Sequence, residues 1–72
     1  MTRYQLLNKS GHVIATALGT TPQDIAQSFS RMCSAFENIR TGERYEIHHG
    51  NAINVTLIRA IEEANQYAAR AA

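Results

Sequence analysis

This chain is short of almost everything that usually announces a chemistry. It has one cysteine, Cys33, so no disulfide framework can form within it. It has one proline, Pro22, and no low-complexity or Pro/Gly-rich stretch that would read as a linker. Seven Lys and Arg stand against six Asp and Glu, a formal net charge of +1, with no block of either sign. That balance gives no strong field for nucleic acid or an anionic membrane. No apolar run approaches the ~20 residues of a membrane span, and none follows Met1-Thr2-Arg3 as it would in a signal peptide. A lone thiol and no export signal fit a reducing cytoplasm. There is no Gly-rich phosphate loop, no Gly-x-Ser-x-Gly elbow and no His-Glu-x-x-His, so no enzyme class and no cofactor is indicated.

What is present is a single small domain of 72 residues, 1–72. A chain of this size buries only about 60% of the surface its unfolded form exposes. Disulfide and zinc staples are missing, which leaves association with another subunit as the expected support, and a homodimer as its simplest form.

The most informative pattern is an internal echo. Arg3-Tyr4-Gln5-Leu6 returns as Arg44-Tyr45-Glu46-Ile47, and each copy leads through a turn into a β-favouring run and then an amphipathic helix. Arg3 to Leu7 reads as a strand. Asn8-Lys9-Ser10-Gly11 reads as a turn closed by Gly11 at positive φ, and Val13 to Leu18 as the return strand. In that register Tyr4, Leu6, Ile14 and Thr16 share one face, and Leu7, Val13, Ala15 and Ala17 the other. Thr21-Pro22-x-Asp24 predicts a capped helix start. Ile25, Phe29, Met32, Cys33 and Phe36 recur at helical spacing, with Ile39 beyond them and Gly42 as the stop, while Gln23 and Gln27 fall on the solvent side. Arg44 to His48 alternates as a strand, with Tyr45 and Ile47 on one side and Glu46 and His48 on the other. Residues 53–57 fit a strand or a helix. The reading taken is a strand to Val55, a Thr56 cap, and a helix from Leu57 to about Ala69 that buries Leu57, Ile58, Ile61, Ala64 and Ala68. The Ala-rich end, Ala68 to Ala72, reads as a fraying helix terminus. The expected fold is α+β: an antiparallel sheet of three to four strands with two helices packed on one face, ββαββα or ββαβα.

The side chains that could carry chemistry have plainer roles. His48 and His49 are adjacent, and neighbours on a strand point to opposite faces, so they do not make a metal site. Cys33 falls among Ile25, Phe29 and Phe36 and reads as a small buried apolar group. The functional expectation is therefore a non-catalytic protein-interaction module. Its model is a small accessory or inhibitory protein, of which phage anti-defence proteins are one kind, that binds and sterically blocks a larger partner. The surface expected to do so is the sheet face with Leu7, Val13 and Ala15, rimmed by Gln5 and His12. The alternative is a small nucleic-acid-binding module using Arg3, Arg44, Tyr45 and His48 on the sheet.

Overall fold

The computed structural model describes residues 1–71; Ala72, expected in the fraying terminus, lies outside the described residues. The chain is α+β. It has five strands, β1 (Thr2–Leu7), β2 (Val13–Gly19), β3 (Ala35–Asn38), β4 (Arg44–His48) and β5 (Asn51–Asn54), with helix α1 (Pro22–Phe29) after the second and helix α2 (Val55–Ala71) after the fifth. They form one antiparallel sheet in the order β2-β1-β3-β4-β5. The order of elements is thus ββαβββα, one strand more than the sequence pattern suggested.

The first hairpin turns as expected. Asn8 Oδ1 accepts from the Ser10 and His12 amides at 3.0 Å each, and Gly11 sits at φ 85°, a conformation a Cβ would resist. The register of its strands differs from expectation. Tyr4 faces Ala17 and Leu6 faces Ala15, but Leu7 faces Val13, so Ile14 is an extra residue on β2. One inserted residue exchanges the faces of everything beyond it. Tyr4, Leu6, Ala15 and Ala17 therefore share the core side. Leu7 faces the opposite side, where it is 3% exposed and lies across from Ala35.

Helix α1 starts as the sequence predicted. The Asp24 amide donates to Thr21 Oγ1 and the Thr21 amide to Asp24 Oδ2, both at 3.2 Å, a reciprocal capping box with Pro22 in the first turn. It ends at Phe29, far short of Gly42. The Phe29 carbonyl accepts the Met32 and Cys33 amides, both at 3.0 Å, and the chain turns out of the helix. Residues 35–38, expected in the helix, are instead the central strand β3. The physical reason is tertiary. Without β3, the inner edge of β1 would be left unpaired beside the core, and pairing it yields a full ladder from Tyr4–Asn38 to Leu7–Ala35. Gly42, at φ 76°, belongs to the β3–β4 turn. There Asn38 Oδ1 accepts the Arg40 and Thr41 amides at 2.9 and 3.2 Å. The β4–β5 hairpin closes through His49-Gly50, both at positive φ (52° and 76°), as a two-residue turn requires.

The core lies between α1 and the sheet: Tyr4, Leu6, Ile25, Ala26, Cys33 and Phe36, with Phe29, Tyr45, Ile47 and Ala52 packed around them. Helix α1 has 8 residues and is about 12 Å long at 1.5 Å per residue. It nevertheless touches both β2 and β5, the two edges, so the sheet curls around it. Gln23, expected on the solvent side of α1, is the tie. Its Nε2 donates to the Gly50 carbonyl and its Oε1 accepts the Ala52 amide, both at 3.0 Å. The side-chain amide thus takes the place a sixth strand would occupy along β5. On the other edge Gly19 is just as constrained, since a Cβ there would lie 2.6 Å from Ile25 Cδ1.

Helix α2 departs most from expectation. Its first turn rests against β4, but every residue from Thr56 to Arg70 is exposed. Leu57, Ile58 and Ile61 are 55%, 44% and 52% exposed, so the stripe expected to be buried is not. The molecule is correspondingly long, 44 × 22 × 20 Å.

Replacing Gln23 with Ala leaves the Ala52 amide without a partner in a half-buried position. The expected loss is about 1–2 kcal/mol of stability, read as a lower urea midpoint at unchanged slope.

Candidate functional site

Two surfaces remain once the core is filled: the sheet face opposite α1, and helix α2. The sheet face is polar and self-neutralised across β3 and β4, while Val13 and Leu18 stand half exposed on its β2 edge. Glu37 and Arg44 stand opposite each other on β3 and β4, with a long contact of 3.9 Å between Arg44 Nη1 and Glu37 Oε1. Next along β4, His48 Nε2 lies 2.9 Å from Glu46 Oε1. A groove of about 410 Å³ runs beside these groups, lined by Lys9 on the hairpin turn and by Ala35, Arg44, Glu46 and His48. Exposed pairs of this kind contribute little to stability. They also cancel much of the positive charge a phosphate backbone would need.

The residues singled out from the sequence do not gather at one place. Arg3 and Arg44 do share the uncovered face, and His48 lies beyond Arg44 on the same strand. Tyr45 is on the other side, its ring stacked on Phe36 at 5.1 Å between centroids and 11° between planes. Burial raises its hydroxyl pKa above 10.0, with smaller contributions from Glu43 and Tyr4, and one face of the ring is already taken by Phe36. Of the residues assigned to a protein interface, Leu7 is buried and Ala15 packs against the core. Val13 and His12 are exposed and Gln5 is half-buried. The apolar sheet face expected from the sequence therefore does not exist, because the extra residue in β2 divides its members between two sides. Cys33 is buried, its thiol donating to the Phe29 carbonyl at 3.4 Å and its pKa raised above 9.0 by burial, as a packing role requires. No group of three or more His, Cys, Asp or Glu is placed to hold a metal ion among the described residues.

The contiguous apolar surface lies on α2, and its root is built with care. Asn54 ends β5 and its Oδ1 accepts the Leu57 amide at 2.9 Å, so it caps the helix in place of the expected Thr56. Asn54 Nδ2 donates to Glu43 Oε2 at 2.8 Å. Thr56 Oγ1 instead accepts the Arg44 amide at 2.8 Å, completing the start of β4. Three hydrogen bonds thus fix the direction in which a 17-residue helix leaves the sheet. Beyond the root, an Arg59–Glu63 pair at 3.4 Å, one turn apart, supports the outer face. This surface was legible as an amphipathic stripe, but nothing in the stripe shows whether the protein's own sheet will cover it.

No protein-family model, no curated protein and no solved structure matches this chain. Among the described residues, no helix is long and apolar enough to cross a membrane.

Tyr4, Cys33 and Tyr45 all have pKa values raised, in each case chiefly by burial. A raised pKa in the folded state means that folding favours the protonated form. That contribution is complete below the unfolded values of 9.0 and 10.0 and is lost as pH rises through the folded ones. The unfolding free energy should therefore be level towards pH 9 and fall above it, as measured by urea titration at stepped alkaline pH. A stability that rises through this range would contradict the buried placement of these groups.

Proposed function

We propose that this chain is a non-catalytic protein-interaction module, a small accessory or inhibitory protein, and that α2 is the element through which it docks. The observation that carries the reading is the stripe of Leu57, Ile58 and Ile61, about half exposed on a helix whose root is hydrogen-bonded into the sheet. Fully burying such a side chain gains about 1.5–3 kcal/mol, so covering three that are half exposed would gain about 3 kcal/mol. An amphipathic helix laid into an apolar groove is a recurrent mode of protein recognition, with anchors at i, i+3 and i+4. Ile61 follows Ile58 by three residues and Leu57 by four, so it neighbours both on one face of the helix. The compact body of sheet and α1 would then stand beside the docked helix and obstruct the partner's surface, which is how an inhibitor without catalytic groups acts. The buried free thiol fits a cytoplasmic setting.

The nucleic-acid alternative has less to support it, because Tyr45 faces the core and Arg44 and His48 each lie beside a carboxylate. An affinity capture from the native host, followed by titration of the purified partner, separates the two readings. Ile61→Asp should weaken binding at least about 30-fold, the scale of a central anchor, while the near-ultraviolet signal of the Tyr4–Phe36–Tyr45 cluster stays unchanged. A partner held equally well by Ile61→Asp, or a salt-sensitive oligonucleotide in place of a protein, would overturn the proposal.

A further inference from the structure

We infer that the stripe on α2 is built to receive a second copy of itself, as an antiparallel helix pair. This rests on the reading of α2 as a docking helix and names one occupant for it. Leu57, Ile61, Ala64 and Ala68 are separated by four, three and four residues, the alternation that keeps a seam facing a partner helix. The seam is graded along its length, with bulky side chains in the first half and alanines in the second. An antiparallel partner reverses that gradient. Leu57 then lies across from Ala68 of the second copy, and Ile61 across from Ala64, in layers that repeat by symmetry on either side of the centre. Each layer pairs one large and one small side chain, the condition for interdigitation without voids. A parallel pair would set Leu57 on Leu57 and Ala68 on Ala68, with all the bulky layers at one end and gaps at the other.

The flanks follow the same rule. At 100° per residue Ile58 and Asn65 border the seam on one side, and Ala60 and Tyr67 on the other. Antiparallel pairing brings Tyr67, 77% exposed, over Ala60 of the second copy, and Ile58 beside Asn65. Arg59, Glu62, Glu63 and Arg70 all fall on the outer side of the helix, so no charge has to leave water. The seam runs for most of a helix about 25 Å long.

Sedimentation equilibrium from about 1 µM to about 1 mM should show the mass rising from one chain to two, with Ile61→Asp remaining at one chain throughout. Orientation is read by mixing Leu57→Cys protein with Ala68→Cys protein under mild oxidation. The mixed disulfide should form well ahead of either symmetric one, since Cys33 is buried and takes no part. A monomer at every concentration, or symmetric Leu57→Cys and Ala68→Cys disulfides in preference to the mixed one, would overturn the pairing. The fate of the larger-partner reading is measured separately, by whether Ile61→Asp loses the captured protein.

Discussion

The fold hangs on Phe36. It is the central side chain of the central strand, with no exposed surface, and it is the point at which two otherwise separate hairpins meet. Tyr4 of the first hairpin meets its ring edge-on at 5.4 Å, and Tyr45 of the second stacks on it at 5.1 Å. Such contacts add roughly 0.5–1.5 kcal/mol per pair beyond the area they bury. In a domain of this size that is a substantial share of the net stability. Helix α1 then closes over the aromatic cluster with Ile25, Ala26 and Phe29, and Gln23 holds the far strand to it.

The Arg-Tyr echo has a physical meaning in this setting. Tyr4 and Tyr45 lie on the two strands that flank β3, and both face the core. Each arginine, one residue earlier, faces the other way. The repeat is a pair of strands that grip one aromatic side chain from both sides. The helices that follow the two hairpins then part company: α1 packs on the core, while α2 leaves the sheet at β4 and is exposed from Thr56 to Arg70.

Local signals in the sequence were sufficient where the backbone itself decides the geometry. The Thr21–Asp24 capping box, Gly11 in its turn and the alternation of Arg44 to His48 all stand as read. They failed where long-range pairing decides. Residues 35–38 carry no alternation because Ala35 and Phe36 are both buried, one on each side of the sheet, and a strand buried on both faces looks the same as a helix in a short window. The Ile14 insertion has no signature in composition, yet it moved Ala15 and Ala17 from the expected interface to the core side. For α2 the stripe itself was correctly placed, but its burial was inferred from periodicity alone. Periodicity reports that a face seeks cover. It does not report whose atoms will provide it.

The tie made by Gln23 bears on how far copies of this protein could build onto one another through their sheets. An exposed strand edge is a template for another strand, and a sheet with two open edges can be extended from both ends without limit. Here the Gly50 carbonyl just before β5 and the Ala52 amide on it are already taken by a side chain, so these two groups are closed to an incoming strand. A second chain that paired along β5 would first have to displace the Gln23 amide from both of them. One glutamine amide thus guards part of one edge of a short sheet against edge-to-edge growth.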